Sequence, residues 1–105
     1  MIINGKEYGL AYTIGARCDY DDFVFAHKDE MLSYTHGLIM KAVFMSKAYV
    51  ATNGGEALTY EMLRALPNSE FDKLIDEMNK QIEEDSKVTV EAEAAKPKKE
   101  KSPGR

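Results

Sequence analysis

The chain has 105 residues, a hydrophobic fraction of 44% and a formal net charge of −4, enough for one domain with a small core. Its single cysteine, Cys18, excludes an internal disulfide framework and a cysteine-rich zinc site. No window approaches the ~18 consecutive apolar residues of a membrane span, and no basic start leads into an apolar run as in a signal peptide, so a soluble, cytoplasmic protein without membrane contact is expected.

In chain order, the first signal is Asn4-Gly5 between short apolar runs. Both residues tolerate the positive φ of a type I′ turn, so residues 1–12 are expected to form a β-hairpin. Two strands alone are marginal in water and must pack on helices. Gly9 marks a bulge or a close backbone approach. Thr13 then suits the N-cap of a helix over about 13–27. At helical spacing Ile14, Cys18 and Phe25 fall on one side, and Ala16, Tyr20, Phe23 and His27 fall nearly opposite. Only one of these stripes can face the domain's own core; the other is covered by another segment or offered to a partner.

The longest helical pattern covers about 29–52, with Asp29 and Glu30 suited to the positive end of its dipole. Met31, Leu32, Tyr34, Leu38, Ile39, Ala42, Val43, Met45, Tyr49 and Val50 span more than half its circumference, as for a central helix packed on two sides. Met40 and Phe44 form an i,i+4 apolar pair on the remaining face. Asn53-Gly54-Gly55 is a stop signal. Thr59 caps a short helix over 59–66 that Pro67 ends. Ser69 and Asp72 resemble a capping box for a last helix over 69–85, where Phe71, Leu74, Ile75, Met78 and Ile82 make the cleanest amphipathic stripe. The fold class expected is mainly α with a small N-terminal β-hairpin (α+β), a compact helical domain over 1–86. Residues 87–105, rich in Lys, Glu, Ala and Pro, read as a disordered tail.

The charge divides the same way. Residues 1–86 carry 8 Lys/Arg against 15 Asp/Glu, and residues 87–105 carry 6 against 3. An acidic folded part is repelled by nucleic-acid phosphates. Reading 59–66 and 69–85 as a DNA-binding helix-turn-helix fails for the same reason, because the second helix presents Glu70, Asp72, Asp76, Glu77, Glu83 and Glu84. No nucleic-acid partner is expected.

Catalysis has little to stand on. Cys18 and His27 point about 180° apart on one helix, His36 reads as a half-buried structural histidine, and no metal-protease, P-loop, serine-hydrolase or CxxC spacing occurs. Asp19-Tyr-Asp-Asp22 lacks the glycine and distal glutamate of an EF-hand loop. No enzyme activity, cofactor or metal is expected. What remains is a binding module whose adaptable contacts include methionine. Counting faces, its partner surface is expected to include Tyr20, Phe23, Met40 and Phe44.

Three segments also carry a resemblance. Ile3-Asn-Gly-Lys-Glu-Tyr-Gly-Leu-Ala-Tyr-Thr-Ile-Gly-Ala16 is similar to the N-terminal hairpin and helix start of the tail assembly chaperones of long-tailed bacteriophages (siphophages). Leu58-Thr-Tyr-Glu-Met-Leu-Arg-Ala-Leu-Pro67 with Phe71-Asp-Lys-Leu74 resembles their later helical pair, and Lys96-Pro-Lys-Lys-Glu-Lys101 their lysine-rich end. Together they touch about half the chain; Asp19-Tyr-Asp-Asp22 departs from the apolar/Glu pattern expected there. The resemblance implies a protein that coats the tape measure protein in the host cytoplasm and is absent from the mature virion. It also implies a translational frameshift giving a longer form whose added domain recruits the tail tube protein. Self-association is left open. A small regulatory or inhibitor protein of a phage or mobile element, or a minor structural tail component, would suit the same residues.

Overall fold

The computed structural model describes residues 1–30 and 32–95, with side chains through residue 85. Met31 and residues 96–105 lie outside the described residues. The architecture is mainly helical behind a two-stranded antiparallel hairpin: β1 (Ile2–Ile3), β2 (Lys6–Glu7), α1 (Ile14–Ala26), α2 (Tyr34–Asn53), α3 (Tyr60–Arg64) and α4 (Asn68–Ala95).

The hairpin turns on Asn4 and Gly5, with φ of 53° and 79°, the left-handed pair that a type I′ turn requires. Ile2 pairs with Glu7 and Ile3 with Lys6, and the Tyr8 amide donates to the Met1 carbonyl at 2.7 Å. Strand pairing is therefore shorter than the expected 1–12. Beyond Tyr8 the extended chain bonds to a helix instead, since the Ala11 amide donates to the Met45 carbonyl of α2 at 3.0 Å. Gly9 is the close approach anticipated: a Cβ there would stand 2.4 Å from the Tyr49 ring.

The starts of α1, α2 and α3 each follow a short polar cap. Thr13 Oγ1 accepts from the Ala16 amide at 3.0 Å, and Thr59 Oγ1 from the Met62 amide at 3.2 Å, each bond satisfying one of the amides that a first turn leaves without an intrahelical partner. α2 starts five residues later than the expected 29, because Ser33 provides the cap, its Oγ accepting from the His36 amide at 3.0 Å. Residues 27–30 are turns, and α2 runs back along α1 as an αα-hairpin. α2 ends where expected, at Gly54 with φ of 80°. α4 begins one residue earlier than expected, and the Pro67 carbonyl rather than a Ser69 cap receives the first amides, those of Glu70 and Phe71, at 3.0 Å.

The far end of α4 corrects the expected helix boundary. The helix does not stop near residue 85 but continues to Ala95, nine residues into the segment 87–105 read as a tail, whose remainder lies outside the described residues. At ~1.5 Å per residue that adds roughly 15 Å to the element.

The core lies along α2. Ile39, Ala42, Val43 and Met45 meet Ile3, Tyr8 and Leu10 from the N-terminal segment, Leu58 and Leu63 around α3, and Leu74 and Met78 from α4. Full burial of each large apolar side chain favours folding by about 1.5–3 kcal/mol. One polar group sits among them. Ser46 is fully buried, and its Oγ accepts from the Leu58 amide at 2.8 Å, tying the α2–α3 connection to the middle of α2. At the other end the Asp85 carboxylate accepts from the Tyr12 amide at 3.0 Å and from Gln81 Nε2 at 3.2 Å, fastening α4 to the segment that leads into α1.

Candidate functional site

α1 decides which of its two stripes is committed. Ala16 is buried, Tyr20, Phe23 and His27 are half-buried, and all four face α2. The Tyr20 hydroxyl lies over Gly37, and Lys41 Nζ stands 5.5 Å from the Tyr20 ring centre. Phe23 is the hub of a ring cluster, with centroids 4.5 Å from His27, 5.9 Å from His36 and 6.2 Å from Phe44 in an edge-on contact. His36 in turn lies 4.9 Å from Tyr60 of α3. These separations fall in the range in which tilted aromatic pairs attract.

The four side chains assigned to a partner surface by face counting are thus half-buried rather than fully exposed. Tyr20 and Phe23 occupy the seam between α1 and α2, and Phe44 packs beside Phe23. The stripe left in solvent is the opposite one: Ile14 and Phe25 are each 69% exposed, and Cys18 is exposed between them. Val24 and Tyr34, at 82%, extend the apolar surface to the corner where α1 gives way to α2.

Two concavities open at that corner, one on each side of the first turn of α2. The first, about 280 Å³, lies between the end of α1 and the start of α2, walled by Tyr20, Phe23, Val24, Leu32 and Tyr34, with His27 and Lys28 at its border. The second, about 300 Å³, lies between α2, α3 and the start of α4; Ile39, Leu63, Leu66 and Phe71 form its apolar wall, with His36 and Arg64 among its polar groups. Ser33 borders both. Tyr20 and Phe23 therefore do line a cavity, whereas Met40 and Phe44 line neither of these two.

The polar equipment of the corner suits binding. Lys28 Nζ stands 4.5 Å from the Phe25 ring centre, a cation–π distance. His27 Nδ1 is shielded from solvent and 3.0 Å from a Glu30 carboxylate oxygen, within ion-pair reach when the ring is protonated but off the line of a hydrogen bond. Among the described residues no group of three or more His, Cys, Asp or Glu is placed to hold a metal ion. The pairing of the two cavities around Ser33 was hidden from the sequence because Arg64 and Phe71 reach the corner through the turn between α3 and α4. Locally only Pro67, as a break, points there, because the helix expected from residue 29 places Ser33 in its interior.

Comparison of the chain with protein-family models, curated proteins and solved structures found no match in any of the three.

Proposed function

We propose that this protein is a tail assembly chaperone of the siphophage type, which binds and solubilises the tape measure protein while the tail tube assembles. The specific part of this reading rests on the order and spacing of the three resembling segments, from Ile3-Asn-Gly-Lys-Glu-Tyr8 to the lysine-rich end. The observation that supports a binding role is the corner between α1 and α2. Val24, Phe25 and Tyr34 remain in solvent there, beside two cavities with apolar walls, although the opposite stripe of α1 already packs on α2. Contiguous exposed apolar patches are a feature of association sites, unlike apolar side chains exposed singly. A net charge of −7 over residues 1–86 would keep a chaperone with its apolar client in solution.

The test is expression of the native gene with its downstream DNA behind an N-terminal tag, alone and beside the neighbouring tail genes. A minor longer product, with peptides running past Lys98-Lys99 in a shifted frame, together with recovery of a soluble tape measure protein only on co-expression, is the expected result. A protein retained in purified particles would instead be a structural tail component. One that leaves the tape measure protein insoluble and captures a host protein would be a regulator or inhibitor.

A further inference from the structure

The charged side chains lining the two cavities have the sign opposite to the net charge of the domain. Residues 1–86 hold nearly twice as many acidic as basic side chains, yet among the described residues no Asp or Glu lines either concavity. The charged residues that do are Lys28 in the first and Arg64 in the second, with His27 and His36 beside them. Among the described residues no carboxylate comes within 4.0 Å of the Lys28 or Arg64 charged groups. Glu30 meets His27, not Lys28. The C-terminal segment, in which Lys96, Lys98, Lys99 and Lys101 outnumber Glu100, carries charge of the same sign as these cavities and does not complement them.

We propose that the two cavities form one groove, centred on Ser33, that docks an amphipathic segment of a partner protein bearing large apolar side chains flanked by carboxylates. Each cavity has room for one large apolar side chain, and the volumes sit at the lower edge of the ~300–1,000 Å³ common for ligand pockets. Two such anchors with adjacent charges match the helix-in-groove mode of peptide recognition. Lys28 and Arg64, one at each cavity, select the sign of the partner's flanking charges and speed its encounter more than they add affinity. The inference rests on the corner being a binding surface, as in the proposed function, but not on the client being a tape measure protein.

The probes are two designed fluorescent helical peptides of equal length with the same leucine stripe, one with glutamate on its polar flanks and one with lysine. Titrated into the intact protein, the glutamate peptide should bind at least about tenfold more tightly than the lysine peptide. Its amide shift perturbations should centre on Ser33, His36 and Leu63. The pair Lys28→Glu and Arg64→Glu should reverse that preference, while Lys73→Glu with Lys80→Glu, an equal charge change on α4, should leave it in place. Circular dichroism of each variant confirms the fold. A lysine peptide that binds as well as the glutamate peptide overturns the proposal, as do perturbations that map to the Ile14 face. If K28E with R64E dissolves a dimer seen by sedimentation, the occupant is a second copy and the proposal of a foreign partner fails. The frameshift and co-expression outcome is independent of all these results, so the two readings fail separately.

Discussion

Ser46 and Gly9 carry more of the structure than their size suggests. Ser46 is the one fully buried polar side chain among the described residues, and its hydroxyl is the acceptor for the Leu58 amide. Ser46→Ala keeps the volume nearly constant but leaves that amide with no acceptor, so a loss of about 1–3 kcal/mol in urea unfolding is expected. Gly9→Ala drives a methyl group into the Tyr49 ring, 2.4 Å from where a Cβ would stand. Overpacking of this kind costs about 1–3 kcal/mol, and Tyr49→Ala in the same chain should recover part of the loss, which a double-mutant cycle measures. The glycine was legible in the sequence as a close approach, but Tyr49 as its neighbour was not, because forty residues and the reversal between α1 and α2 separate them. Phe23 and Phe25 make a third contrast. Phe23→Ser opens the ring cluster and should lower stability by about 2–4 kcal/mol; Phe25→Ser, on a side chain 69% exposed, should stay within about 0.5 kcal/mol.

Among the elements, α1 and α4 show where pattern reasoning reached its end. Two apolar stripes on α1 were readable, but their separation by about half a turn gave no preference for either. The choice fell to Gly37 and Phe44 on α2, which accommodate Tyr20 and Phe23. For α4, the amphipathic stripe from Phe71 to Ile82 marked the packed part, and the loss of large apolar residues afterwards suggested disorder. Composition of that kind removes burial but does not forbid a helix: Ala, Glu and Lys, among the best helix formers, make up six of residues 86–95 beside Val88-Thr89-Val90, and the helix continues to Ala95 from a part that tertiary contacts have nucleated. Asp85 anchors the junction between these two regimes. Asp85→Ala should free the Tyr12 amide, raise hydrogen exchange there and in the last turns of α4, and leave exchange at Ala42 and Val43 in the core unchanged.

For the molecule as a whole, long-range electrostatics are concentrated at the edges. Lys6 of the hairpin pairs with Glu56 after α2, and the hydrogen bond to Lys6, reinforced by its charge, holds the Glu56 carboxyl below its ordinary pKa. The same bond raises the Lys6 pKa. The sign follows from linkage: the contribution of Glu56 is present above the unfolded carboxylate pKa and lost as pH falls through the depressed folded value. That of Lys6 is present below its unfolded pKa and lost as pH rises through the raised folded value. The difference in Tm between the native chain and Glu56→Gln should therefore be flat across neutral pH and vanish in acid and in strong base. Both side chains are exposed, so it should also be small and shrink with added salt.

The sequence by itself determined the local structure: the Asn4-Gly5 hairpin, the Thr13 and Thr59 caps, the Gly54 stop and the stripe of α4, all set by backbone preference and periodicity within a few residues. Mainly helical architecture behind a small hairpin follows from these, because each depends only on neighbours along the chain. Tertiary structure alone decided which stripe of α1 is buried, that Ser33 rather than Asp29 opens α2, and that Arg64 and Lys28 border adjoining cavities. Those outcomes depend on the competition between surfaces for one small core and on turns that bring distant residues to a single corner. No periodicity within one helix encodes which of its faces wins that competition.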